Sequence, residues 1–139
     1  MTGLVRILTC DLAGPALHYA VGQATLGNSF CFISSVGEVL YPNRKLGDFD
    51  LYDPEADPAL LAQLVSEFKP EYQVVEVIDP ESRVVAKQIQ CFVAGLAGDA
   101  VGRNEGEALC KAVVLMRTGL EVYLPGILLR LHLLAGQSQ

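Results

Sequence analysis

The sequence predicts an α+β fold, a small α/β sandwich in which an antiparallel sheet of about three to five strands is packed by about three helices. Residues 58–68 form a capped amphipathic helical pattern, 72–78 and 84–93 are adjacent apolar runs joined by a turn, and 105–118 form a second capped helical pattern. Helices on either side of two neighbouring β runs must bury their apolar faces against a shared sheet. The 139 residues fit one domain, and a domain of that length buries roughly two-thirds of the surface its unfolded chain exposes. Its parts are an N-terminal helix and hairpin (1–41), a loop (42–57), a helix-strand-strand-helix core (58–119) and an apolar C-terminal tail (120–139).

Each element follows from local chemistry. Leu17, Ala20, Val21 and Ala24 recur at helical spacing after Gly14-Pro15, with Gly27 in the stop position, which predicts a helix over 15–25. Phe30, Phe32, Val36, Val39 and Tyr41 around Ser34, Ser35 and Gly37 suit a short β-hairpin. Residues 42–57 are rich in Asp, Pro and Gly and read as a long surface connection. Asp57 then offers an oxygen to the open N–H groups of the next turn, and Pro58 loses no hydrogen bond at the first helical position. Leu60, Leu61, Leu64, Val65 and Phe68 share one face of that helix, which ends at Lys69-Pro70.

The run 72–78 is β-branched on both faces, as expected of a strand covered on most of its surface. Asp79-Pro80-Glu81-Ser82 turns the chain back into 84–93. Val85, Ile89, Phe92, Val93 and Leu96 of that second run also fit a helical face, but the β-branched content and the preceding turn favour a strand for its early part. Gly95, Gly98 and Gly102 break the pattern and read as a plain flexible connection. Asn104 with Glu107 resembles a capping box, Ala108, Leu109, Ala112, Val113 and Met116 give a buried stripe, and Gly119 supplies the stop. An extended segment over 120–124 precedes Pro125-Gly126.

Composition narrows the function classes. Hydrophobic residues make up 51% and charged residues 19%, slightly more apolar than a typical soluble domain, so some apolar surface is left for a partner. The net charge of −6 opposes approach to nucleic acid or anionic membrane, and the adjacent Arg44 and Lys45 are offset by Asp48, Asp50 and Asp53. Met1 to Leu8 is too short an apolar run for a signal peptide. The apolar stretch 127–135 is interrupted by Arg130 and His132 and falls short of the ~20 residues that span a bilayer. Cys10, Cys31, Cys91 and Cys110 are widely spaced with no C-x-x-C pair, and three of them sit in apolar or periodic stretches, which points to buried thiols there and to reducing cytosol.

Three stretches carry a resemblance. Leu12-x-Gly14-x-Ala16-Leu17-x-x-Ala20-Val21-x-x-Ala24 is similar to the opening helix of small bacteriophage proteins of the NinX-like group. Tyr52-Asp53-Pro54-Glu55-Ala56-Asp57-Pro58-Ala59, followed by Leu64-Val65, resembles a segment of the related phage ABA-sandwich domain. Glu107-Ala108-Leu109-Cys110-Lys111-Ala112 and Gly119-Leu120-Glu121-Val122-Tyr123-Leu124-Pro125 look like the last helix and closing signature of the NinX-like group. Together they cover about half the chain, which departs from the group in having no tryptophan, in residues 30–41 and in a longer tail. The resemblance implies a small α/β sandwich encoded by a phage or prophage and acting in the bacterial cytoplasm, and it implies no activity.

The residues offer little catalytic vocabulary. His18 is the best-placed titratable group, yet a general base needs a carboxylate or nucleophile in reach and the sequence names none, so a boundary histidine is the plain reading. His132 in the tail lacks the three or four ligands that zinc takes. Asp48, Asp50, Asp53, Glu55 and Asp57 lack the glycine and terminal glutamate of a calcium loop. Ser34, Ser35 and Thr9 sit in no Gly-x-Ser-x-Gly turn, and Gly95-x-x-Gly98-x-x-x-Gly102 lacks the Lys-Ser/Thr ending of a phosphate loop. The expectation is therefore no catalytic residue, no metal and no cofactor. The chain reads as a non-catalytic accessory protein that associates with itself or with a host or phage protein. Its candidate surface is Tyr52, Asp53, His18, Leu128, Leu131 and His132, with the tail foremost. The alternative is a small-ligand or metal-binding protein, or an enzyme, using the acidic 48–57 loop and Tyr52.

Overall fold

A computed structural model describes residues 4–26, 32–33, 38–43, 48–96, 100–126 and 128. The chain starts with β1 (Leu4–Leu8), a 3-10 turn (Thr9–Asp11) and helix α1 (Gly14–Leu26). Strands β2 (Phe32–Ile33), β3 (Val39–Asn43) and β4 (Asp48–Leu51) follow, then helix α2 (Pro58–Phe68). Next come β5 (Glu71–Ile78), β6 (Val85–Phe92), β7 (Ala100–Gly102), helix α3 (Glu105–Arg117) and β8 (Glu121–Pro125). The fold is α+β with three α-helices and antiparallel pairing throughout the described residues, as the sequence predicts. Instead of one sheet, the strands form three small ones, ordered β1-β8, β2-β3-β4 and β5-β6-β7.

Helix α3 organises these sheets. Residues 106–110 and 112–114 are all buried, so the helix is covered nearly all round rather than on one stripe. It packs against α1, α2, β6 and β7. Leu12, Leu17 and Val21 from the N-terminal part meet Leu109, Val113 and Val114 of α3 in the core, which Leu124 of β8 and Leu128 complete. Each such side chain contributes roughly 1.5–3 kcal/mol by leaving water. The first and last strands close the fold, with Arg6 opposite Tyr123 and Leu8 opposite Glu121. Buried Thr9 extends this join, its N–H donating to the Leu120 carbonyl at 2.8 Å and its Oγ1 to the Gly119 carbonyl at 2.6 Å.

Helix ends follow the capping chemistry. Asp57 Oδ1 accepts from the N–H groups of Ala59 (2.9 Å) and Leu60 (3.4 Å), and Pro58 opens α2. Lys69 stops α2 in a left-handed conformation (φ 49°), its N–H donating to the Val65 carbonyl at 2.8 Å. Gly119, at φ 120°, ends α3 as expected. On α2, Leu60, Leu64 and Phe68 are buried while Val65 is exposed.

Other expectations are corrected. The predicted surface loop 42–57 contains the end of β3 and all of β4, with Tyr41 opposite Asp50. Its polar residues concealed a hairpin because β4 is an edge strand, which tolerates Asp, and Pro42 lies in β3 beyond the two residues that pair with β2. The predicted flexible glycine connection ends in β7, where Ala100 pairs with Cys91 and Gly102 with Ile89. The run 84–93 is a strand over nearly its whole length. β5, expected to be covered, is largely exposed, because the β5–β6 ribbon runs past the body that supports its base. The predicted hairpin strands pair, with Phe32 opposite Leu40, but its turn residues Ser34, Ser35 and Gly37 and the helix stop Gly27 lie outside the described residues. Among the described residues, no helix is long and apolar enough to cross a membrane.

Candidate functional site

Two features stand out, a histidine with two carboxylates and an exposed apolar ribbon. The first begins with His18 on α1, whose ring points at the turn entering α2. In that turn Asp53 Oδ1 accepts from the N–H groups of Glu55 (3.2 Å) and Ala56 (3.1 Å), which fixes its carboxylate. The Asp57 N–H donates to the Asp53 carbonyl at 2.9 Å and closes the same turn. His18 Nε2 lies 2.5 Å from Glu55 Oε2 and 3.3 Å from Asp53 Oδ1. The histidine and glutamate side chains are 12% and 18% exposed, against 41% for Asp53, so the cluster is reached from the aspartate side. Ligand atoms of the three residues all lie within 4.8 Å of one another.

His18 and Asp53, both candidates from the sequence, are thus brought together, and Glu55 completes the group. Tyr52 is not part of this surface. It is buried, with its hydroxyl 3.3 Å from Thr25 Oγ1 and its ring edge-on to Tyr41 at 5.4 Å, so it anchors the β4–α2 segment to α1 and β3. Leu128 is fully buried and belongs to the core instead of a free apolar tail. Leu131 and His132 lie outside the described residues.

Behind the cluster, α3 begins with a second polar network. Asn104 Oδ1 accepts from the Glu107 N–H at 2.8 Å. The buried Glu107 carboxylate accepts from the Arg103 N–H (3.1 Å), Arg103 Nε (3.1 Å) and Arg103 Nη2 (2.9 Å). The hydrogen bonds it donates to Glu107, and then the charge of Glu107, raise the Arg103 guanidinium above its ordinary value. Cys10, Gln88, Ala100, Val101, Lys111 and Leu115 line a concavity of about 310 Å³ beside this network.

Burial also sets the acid groups between β5, β6 and α3. It pushes the Cys91 thiol up to about 11 and, with the neighbouring Cys91, Glu105 and Cys110 adding to it, the Tyr72 hydroxyl up to about 12. Burial, then the charges of Glu55 and Asp53, raises Cys110 strongly as well. An unfolded chain releases these protons near the ordinary values of 9.0 for a thiol and 10.0 for a tyrosine, while the folded chain keeps them. The folded state then binds more protons, so stability falls as pH rises above about 9. The urea midpoint is expected to decrease steadily from about pH 8.5 to 10.5. A flat or rising midpoint over that range contradicts this arrangement.

The second feature is the β5–β6 ribbon. Its turn is set by Asp79, which accepts from the Glu81 N–H (3.0 Å) and Ser82 Oγ (2.9 Å), contacts that hold its carboxyl below the usual range. Val74 is 59% exposed, Ile78 63%, Val84 60% and Val85 51%, and Val77 and Phe92 are exposed too. By the period of two, Val74 and Ile78 share a face with Ile89 and Val85 across the ladder. Nothing in the residue pattern signals this exposure, since a β-branched run reads the same whether a second layer covers it or not.

These features define a small antiparallel α+β protein with a histidine and two carboxylates on its body and an apolar ribbon extending from it. No protein-family model, curated protein or solved structure matches the chain.

Proposed function

We propose that this chain is a non-catalytic, self-associating accessory protein, encoded by a phage or prophage and acting in the bacterial cytoplasm. The observation that carries self-association is the exposed β5–β6 ribbon, whose outer strand β5 pairs on one side only among the described residues. An edge strand without lysine, proline or a bulge is an open template for another strand. β5 carries none of these, and its only charges are Glu71 and Glu76. A second copy laid antiparallel with Val74 opposite the same residue of the first places Tyr72 opposite Glu76 and Gln73 opposite Val75, so no like charges meet. The same pairing joins the Val74 and Ile78 faces of the two ribbons into one apolar surface. This moves the associating element from the tail, whose Leu128 is in the core, to the ribbon.

The resemblance of the 12–24, 52–65 and 107–125 stretches to phage proteins supports the proposed origin, and the free thiols of Cys10, Cys91 and Cys110 fit a reducing compartment. The test is light scattering of the purified protein and of Val74→Lys/Ile78→Lys. The expected result is a dimer for the wild type and a folded monomer for the variant. These exposed positions support no core contact, so the variant should keep its melting temperature within a few degrees. A wild type that stays monomeric at tens of micromolar overturns the proposal, as does a variant that remains dimeric.

A further inference from the structure

We infer that His18, Asp53 and Glu55 form a binding site for one first-row divalent cation of borderline softness, with Zn²⁺ the ion it fits best. The argument starts from proton counting. Both carboxylates converge on the single atom His18 Nε2, at 2.5 Å and 3.3 Å, and that atom carries at most one proton. One hydrogen cannot serve two acceptors well, whereas a cation among the three atoms takes one lone pair from each. Ligands about 2.0–2.2 Å from a tetrahedral metal are roughly 3.4 Å apart, so the Asp53 distance of 3.3 Å already fits and Glu55 must draw back from Nε2 by about 1 Å to admit the ion. Imidazole with two carboxylates excludes the all-oxygen preference of Ca²⁺ and Mg²⁺ and suits zinc.

The surroundings prepare these ligands. The two N–H groups on Asp53 Oδ1 orient that carboxylate, the outer support that metal-binding carboxylates have. His18 is held on α1, which packs on α3 and β3, so the imidazole is not free to swing away. The exposed side of Asp53 leaves room for water as the remaining ligand. Arg103 is the cation whose field reaches Glu55, and its guanidinium is held by Glu107. The site is on the body and does not depend on association through the ribbon.

Titration with Zn²⁺, followed by calorimetry, tests this in Cys10→Ser/Cys31→Ser protein, which removes the exposed Cys10 thiol and Cys31 as competing ligands. One ion per chain is expected, with binding weakened at least 10-fold by His18→Gln and by Glu55→Gln. In a ¹⁵N-histidine sample the His18 ring nitrogens should shift on adding one equivalent of Zn²⁺, a readout that a purely structural ion pair would not give. Either variant retaining wild-type binding, or wild-type protein taking up no stoichiometric Zn²⁺ at 100 μM, overturns the assignment. Circular dichroism of both variants separates loss of ligand from loss of fold.

Discussion

Gly102→Ala is expected to destabilise the protein by about 1–3 kcal/mol, although alanine is the smallest change a glycine can undergo. A Cβ on residue 102 would lie 2.6 Å from the Ala108 backbone nitrogen, 2.9 Å from Glu107 Cβ and 3.0 Å from the Glu107 carbonyl carbon. None of these atoms can rotate aside. Two belong to the backbone of the first turns of α3, and the third is fixed by the buried Glu107 side chain. β7 must therefore move off α3, and since β7 pairs with β6 through Ile89, Gln90 and Cys91, the displacement passes into the base of the ribbon. A melting temperature lower by roughly 5–10 °C is expected. Alanine tolerated within 1 °C would mean that β7 and α3 are not held this closely.

That glycine shows what a sequence can and cannot disclose. Read along the chain, Gly95, Gly98 and Gly102 are breaks in a pattern, and a break suggests a flexible connection. The need for glycine at 102 comes from a helix that packs over it, and nothing at neighbouring positions records that contact. The capped helices were legible because their signals are local. Asp57-Pro58 and Asn104 with Glu107 act within one turn, and Leu60, Leu64 and Phe68 repeat at the helical period. The strands were less so. β1 is too short to show a period, and it exists through pairing with β8 more than a hundred residues away. β4 is a four-residue strand of alternating Asp and apolar residues inside an otherwise turn-like composition.

The histidine cluster follows the same logic. His18 and Asp53 could each be singled out as polar groups in suggestive places, but nothing in the sequence signals that His18 and Glu55, 37 positions apart, meet. The packing of α1 on α3, with Tyr52 seated against Tyr41 and Thr25, brings them together. The reading of Tyr52 as a surface group failed for the same reason. Its polar neighbours Asp50 and Asp53 suggested solvent, whereas the hydroxyl lets a tyrosine enter a core once it finds an acceptor.

Glu107→Ala should lower stability by about 2–4 kcal/mol, and the reason is the charge left behind. In the wild type, Glu107 is buried and faces two cations of different exposure. The Arg103 side chain is 64% exposed and can return to water, so losing that ion pair alone would cost little. The Lys111 side chain is only 12% exposed, with Nζ 3.9 Å from Glu107 Oε1 and 3.0 Å from the Cys10 carbonyl. Removing the carboxylate strands this ammonium with one neutral acceptor, and it also takes the acceptor from the Arg103 backbone N–H at the start of α3. The Asn104 cap is unaffected, because its partner is the Glu107 backbone N–H, which alanine keeps. Glu107→Gln retains an acceptor for the Arg103 N–H but no charge for Lys111, so about half the loss is expected. If the stranded ammonium is the cause, adding Lys111→Met to Glu107→Ala should recover about 1 kcal/mol in urea denaturation. If the second substitution is additive or worse, the loss lies in the backbone acceptor, and Glu107 acts chiefly by holding the entry to α3.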